Sequence, residues 1–426
     1  MTVLVISPDF ASHYLPLSIV ASAARDQGRR VVVATGSTMR PRVEADGFRW
    51  CELRVGTGSN TGIVDRSPAV DRFLAATERG PIATLRLQAR DRADDLLWQP
   101  TMVARRIADL CERIDPDHVL VDHVSFGSTL AMYASGRPFV SLVPGHPSQL
   151  PAGDQRYGVP ARWPAAFDPP AAELTDLEAL VDRVGRRFTD RWNAALAEVA
   201  PSATPVDDAF RVHGHRVLYN SPTELRDPDR WTDVDSDHHF VGPLVRDEAC
   251  PSGFDAWVRD DGTPRVYVAL GTFLSHRTDV LTRIAAALRD GGVRAAIATG
   301  PTDPSELGPV PDGWIVAPTL PQVALLAGAD LAIHHGGNNS VQESLAAGAR
   351  QLVLPFSTDQ FANAFDLERT GFGMVAAPNT TSRRELAQLV GESLAGAAPA
   401  PITGAGPVAL AEALTDPAST AAAATH

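Results

Sequence analysis

The chain has 426 residues, enough for two or three domains that each bury a core of their own. With 44% hydrophobic and 21% charged residues it has the balance of an ordinary globular protein. Its net charge of −13 argues against a nucleic-acid partner, which would need clustered cations, and all 38 basic residues are arginine.

The chain opens with "VLVIS" (3–7), an unbroken apolar run that predicts a buried parallel strand. "HYLPLSIVASAARDQG" follows with helical spacing and stops at Gly28, and "RRVVVATG" (29–36) predicts a second strand. The same alternation returns at "DHVLVD" (117–122), "SFGSTLAMYASG" (125–136) and "PFVSLVP" (138–144). Within 145–215, "LTDLEALVDRVGRRFTDRWNAALAEV" reads as one or two amphipathic helices, and "RVLYNS" (216–221) as a late strand. "GPLVRDEACPSG" (242–253) has Pro and Gly but no periodicity, so a linker is placed at 242–262. The pattern then restarts with strands at 265–271, 293–300, 312–318, 330–335 and 350–356, and helices at 279–292, 323–329 and 340–348. The expected fold class is α/β, with two doubly wound Rossmann-like domains, 1–241 and 263–395, facing each other across a cleft. A tail, 396–426, is expected to hold one more helix at "GPVALAEAL" and a mobile end.

Cys51, Cys111 and Cys250 form no CxxC pair and no even framework, which points to a reducing, cytoplasmic setting. "MTVLVISPDF" lacks a basic n-region, and no run of 18 apolar residues occurs, so neither a signal peptide nor a stable membrane insertion is expected.

In such sheets ligands sit outside the carboxyl ends of the strands. One such end is "LAIHHGGNNSVQESLAAG" (331–348), where a strand gives way to a helix across Gly336 and Gly337. A helix N-terminus carries unpaired N–H groups and partial positive charge, which suit phosphate. Ser340-Val-Gln-Glu343 also matches the S-x-x-E capping box, so a purely structural corner is a second reading of the same residues. His334 and His335 are neighbours on a strand and point to opposite faces, so one is expected to reach the cleft and the other to be packed.

The 320–364 stretch resembles the donor-binding signature of the GT-B glycosyltransferases that use nucleotide sugars. Pro321-Gln322, His335 to Ser340, Glu343, Pro355, Asp359-Gln360 and Asn363-Ala364 stand in the family's order and spacing. The resemblance implies that His335, Asn339 and Ser340 hold the diphosphate, with Gly336 and Gly337 making room and Thr272 adding a hydroxyl. It gives Asp359 and Gln360 the donor sugar's hydroxyls, Glu343 the ribose and Gln322 the base, and it lets the sugar reach Asn338. Where the family often has a base-stacking Trp, this chain has Thr319, and Trp314 is out of register. A carboxylate pairs best with a vicinal diol, so Glu343 leans toward uridine over thymidine.

The same resemblance places a general base at His13 in the β1–α1 loop, three residues before Pro16, with Asp122 as its partner at the end of a strand. A histidine oriented by a carboxylate suits deprotonation of an attacking hydroxyl. His123, His146, Tyr157 and Trp163 are the candidates for an acceptor pocket, built with loops near 57–90, 123–127 and 144–160.

The expectation is an inverting, metal-independent glycosyltransferase of secondary metabolism and antibiotic biosynthesis. It would use a UDP- or dTDP-sugar as co-substrate, with no resident cofactor, on a small lipophilic or aromatic acceptor, as a monomer or homodimer. A dinucleotide dehydrogenase is disfavoured, because "VISPDFASHYLP" lacks a Gly-rich turn. A sugar-nucleotide epimerase and a non-catalytic binding or activator protein of the same fold remain as alternatives.

Overall fold

The computed structural model describes residues 1–60, 64–228, 237–254, 257 and 262–415. Parts of the linker and the tail end at 416–426 therefore lie outside the described residues.

The first half forms a seven-stranded parallel sheet. Its strands are β1 (Thr2–Ile6), β2 (Arg30–Thr35), β3 (Arg49–Glu52), β4 (His118–Asp122), β5 (Val140–Val143), β6 (Arg216–Tyr219) and β7 (His238–Phe240), in the order β3-β2-β1-β4-β5-β6-β7. Val3, Leu4, Val5 and Ile6 are fully buried, because helices cover both faces of this central strand. The second half forms a six-stranded parallel sheet. Its strands are β8 (Arg265–Ala269), β9 (Arg294–Ala298), β10 (Ile315–Ala317), β11 (Leu331–His334), β12 (Arg350–Val353) and β13 (Gly373–Val375), in the order β10-β9-β8-β11-β12-β13. The expected fold class is the observed one.

Each order reverses once, between β1 and β4 in the first sheet and between β8 and β11 in the second. At these switch points the chain leaves neighbouring strands in opposite directions and opens a crevice at their carboxyl ends. His13 and Asp122 flank the first switch point, and Thr272 and His335 the second.

Several elements are additions to the sequence reading. Helices Pro68–Arg79 and Pro81–Leu96 occupy much of a region expected to supply loops, and Pro100–Ile114 follows where no element was expected. Each has Pro in its first turn, and Ser67 Oγ accepts from Val70 N–H at 3.3 Å. Proline fits there, since the missing N–H has no helical partner in the first turn. Ala171–Val199 is one continuous helix. Helix Pro407–Thr415 exists as expected, but it returns to the first domain. Leu410, Ala411 and Leu414 join the core around helix Ala11–Asp26, and Arg29 Nη1 donates to Ala411 O at 2.9 Å.

Leu410→Ala should therefore cost about 3 kcal/mol and lower the urea midpoint. The control, Val408→Ala at a position 56% exposed, should change stability by less than about 0.5 kcal/mol.

Candidate functional site

Helix Ala11–Asp26 begins earlier than the sequence suggested, so His13 sits in its first turn and not in a loop. Its Nδ1 lies 2.9 Å from Asp122 Oδ2. Asp122 is fully buried at the end of β4, and its Oδ1 accepts from Val124 N–H at 3.0 Å. Both carboxylate oxygens are thus fixed, and Nδ1–H of His13 is the donor to one of them. Burial pushes the His13 imidazole down, but the charge and hydrogen bond of Asp122, helped by Asp359, outweigh it and leave the pKa above 6.5.

Pro16 lies inside this helix and has no N–H to give to the carbonyl four residues earlier, which belongs to Ser12. Asn339 Nδ2 of the second domain donates to that Ser12 oxygen at 3.1 Å. The His-x-x-Pro spacing thereby leaves a main-chain acceptor open beside His13, and the facing domain uses it.

At the second switch point, β11 ends at His334 and helix Asn338–Ala347 starts after Gly337. His334 Nδ1 accepts from Gly336 N–H at 3.0 Å, so its Nε2–H donates to Gln351 Oε1 at 2.8 Å. It is the packed member of the pair, and burial lowers its pKa to about 4. His335 faces the cleft with its ring against Gly271 and Gly337, where any Cβ would collide with it. Burial, with the charge of His334, lowers its pKa to about 3, so it is a neutral imidazole at pH 7. Asn363 Nδ2 pins the turn by donating to Gly336 O at 2.9 Å.

Ser340 is the third residue of its helix and does not cap it. Its Oγ accepts from Gln322 Nε2 at 3.3 Å. Glu343 turns outward as well, to Gln322 Nε2 at 2.5 Å and to Arg246 Nη1 at 3.0 Å. The capping-box reading of this corner is therefore not what forms. A true capping box stands at Ser382 and Glu385, where both reciprocal bonds are present. Burial raises the Glu343 pKa, opposed by Arg246 and Gln322. Arg246 also bonds Glu248, whose Oε2 accepts from Val323 N–H at 2.9 Å. The linker thus runs over the expected ribose position, and sequence spacing gave no sign of either residue.

A cavity of about 530 Å³ opens between the domains. Thr272, His335, Asp359 and Gln360 line it from the second domain, and Tyr157 and Arg92 from the first. Thr272 Oγ1 accepts from Asn60 Nδ2 at 3.2 Å. Asp359 Oδ2 accepts from His146 N–H at 2.9 Å.

Some expected residues are committed elsewhere. Asn338 is buried, and its Nδ2 donates to Pro144 O and Asn220 O at 2.8 Å each, so it joins the domains and does not face a sugar. Gln360 Oε1 accepts from Phe356 and Ser357 N–H, and its Nε2 donates to Ser357 Oγ, which turns the amide back onto its own loop. His146 Nε2 lies 2.9 Å from Asp366 Oδ2 across the domain boundary. Trp163 packs on Phe361 at 5.0 Å between ring centroids. His123 is fully buried, 3.1 Å from Gln149 O, with its pKa lowered by burial to about 3. None of His123, His146 and Trp163 lines the cavity; of the four acceptor candidates only Tyr157 does. Trp314 Nε1 donates to Val293 O at 2.9 Å and is part of the sheet's packing.

Residues 284–424 match the family described as erythromycin biosynthesis protein CIII-like, C-terminal domain. Demethyllactenocin mycarosyltransferase of Streptomyces fradiae is 25% identical over 390 residues, covering 88% of this chain and 76% of that one. Oleandomycin glycosyltransferase of Streptomyces antibioticus is 28% identical over 311 residues, covering 70% and 68%. Among solved structures, the glycotransferase of kitacinnamycin aligns over 97% of this chain and 93% of its own, with a TM-score of 0.66 at 20% identity. The spinosyn rhamnosyltransferase complexed with thymidine diphosphate aligns over 99% and 96%, with a TM-score of 0.61 at 20% identity. With two parallel-sheet domains and a cleft at both switch points, the chain has the GT-B fold, and its sequence is similar to natural-product glycosyltransferases.

Proposed function

We propose that the chain moves a sugar from a UDP- or dTDP-sugar to a hydroxyl of a small lipophilic or aromatic acceptor, with inversion and without a metal. The observation that carries this reading is the His13–Asp122 pair at the first switch point, near enough to Asp359 to feel its charge, while Asp359, His335 and Thr272 line the cavity from the second domain.

In this reading Asp122 holds the His13 Nδ1–H, which leaves the Nε2 lone pair free to take a proton. As the acceptor oxygen attacks the anomeric carbon, its proton passes to Nε2. The bond from that carbon to the diphosphate breaks on the opposite face, and the diphosphate leaves with the electron pair. The developing charge meets the N-terminus of helix Asn338–Ala347 and the N–H of neutral His335. Asn339 and the Ser340 hydroxyl stand at the same helix end. Asp359, in the cavity wall on the second domain, is the carboxylate assigned to the sugar's hydroxyls. Glu343 keeps spare lone pairs on both oxygens beside Arg246 and Gln322, enough to accept a ribose hydroxyl. The thymidine diphosphate bound by the spinosyn rhamnosyltransferase supports a nucleoside diphosphate donor.

A thermal-shift panel of UDP, dTDP and GDP and their sugars tests the donor. A nucleotide that binds only the folded state raises the midpoint, and no shift with any of them would favour a non-catalytic protein of the same fold. His13→Ala should lower kcat by roughly 10²- to 10⁴-fold with the nucleotide shift intact; equal loss of both would make His13 structural.

The pH dependence has a definite sign. His13 must be neutral to act as base, and its pKa is raised, so kcat/KM should fall as pH drops through a value above 6.5. Asp122→Asn removes the main influence raising that pKa and leaves burial, which lowers it. The acid limb should then move to lower pH while the plateau falls; an unmoved limb would assign it to another group. EDTA should leave turnover unchanged, and a loss restored by a divalent cation would overturn the metal-free step.

A further inference from the structure

Arg92, on helix Pro81–Leu96, is only 7% exposed, yet among the described residues no carboxylate pairs with it. Its one hydrogen bond runs from Nη1 to Tyr157 O at 2.7 Å. The guanidinium also lies over the Tyr157 ring, 4.7 Å from its centroid. That ring is stacked in turn on Phe210 at 4.4 Å. Gly158, at φ +76°, closes around the guanidinium, and a Cβ there would overlap Nη2. The group is held rigidly from one side by a tyrosine ring, a main-chain carbonyl and a glycine turn.

The other side opens on the cavity, which Arg92 lines. An arginine has five N–H donors, and among the described residues four of these are left without an acceptor. A charge that is buried without an anion is costly, and a cation–π contact offsets only part of that cost. Asp91 is on the same wall but exposed, and forms no ion pair with it. Asp359 is held by His146 N–H and Thr358 Oγ1. Around Arg92 the cavity is apolar, with Phe73, Leu87, Leu96, Val159 and Pro160 in its walls. It is the only cationic side chain among the described residues lining it.

We propose that Arg92 receives an anionic oxygen group of the acceptor, a carboxylate or an enol or phenol ionised at neutral pH, on an otherwise lipophilic skeleton. Planar carboxylate-like groups match the guanidinium fork, and the apolar walls take the rest of the molecule. This inference rests on the cavity being the acceptor site, as in the function proposed above. It makes Arg92 a specificity-determining residue for the acceptor and assigns it no part in proton transfer.

The test uses the full chain and a fluorescent pair, anthracene-9-carboxylate and its methyl ester, titrated with and without saturating UDP or dTDP. The wild type should bind the acid at least about tenfold more tightly than the ester, the size expected of a charge-assisted hydrogen bond. Arg92→Met should abolish that preference while keeping ester binding, and Arg92→Lys should retain part of it. Equal binding of acid and ester by the wild type overturns the proposal, and so does an acid preference that survives in Arg92→Met. The wild-type comparison decides the matter alone if a variant fails to fold. Nucleotide shifts in the wild type separate this failure from that of the transferase reading. A nucleotide shift without acid preference removes only the role of Arg92. Acid preference without any nucleotide shift keeps the subsite and removes the transferase.

Discussion

The Asn338 carboxamide donates both its N–H bonds into the first domain, to Pro144 O and Asn220 O, at 2.8 Å each. Each sheet brings its share of the candidate site to the carboxyl ends of its strands. A few polar bonds of this kind set the separation. Asn339 reaches Ser12 O, His146 N–H reaches Asp359, and Arg277 Nη1 reaches Thr77 Oγ1 at 3.2 Å. The helix Pro407–Thr415 adds an apolar tie, because it follows the second domain in sequence yet packs on the first. The cavity is the space these bonds leave open.

Within that frame, histidine takes different roles through its neighbours. His13 has a buried carboxylate at 2.9 Å and holds a raised pKa. His334 and His335 have no such partner and are kept neutral by burial. One of them fastens the turn, and the other presents its ring to the cleft between two glycines. Arg92 is the reverse case, a permanent cation enclosed by rings and a carbonyl with no counter-charge from the protein. A neutral imidazole at the second switch point, a carboxylate-paired imidazole at the first and a cation in an apolar wall are three different chemical environments.

The motif between 320 and 364 was legible as a block, but individual roles within it were not. Ser340-x-x-Glu343 and Ser382-x-x-Glu385 have the same spacing, and only the second closes as a capping box. What separates them is whether the serine stands before the helix or inside it, and whether Arg246 and Gln322 are near enough to take the glutamate. Asn338 and Gln360 fit the sequence pattern, yet their amides are used in domain contact and loop closure. The helices between 68 and 114 went unread although Pro68, Pro81 and Pro100 marked their starts. The first two of those helices line one wall of the cavity and carry Arg92, so this wall was the least legible part of the site.

By itself the sequence determined the two parallel sheets, since unbroken apolar runs alternating with amphipathic helices bury strands on both faces and allow little else. It also determined which corners hold polar residues and little bulk, because glycine and cap chemistry are local properties. Only the tertiary structure decided which of those polar groups remain free. That depends on partners far apart in the chain: Asp122 for His13, Arg246 for Glu343, Pro144 and Asn220 for Asn338, Tyr157 for Arg92. Hydrogen bonds and charges act over a few ångströms, and that distance is set by how the sheets, linker and returning helix pack, not by separation along the chain.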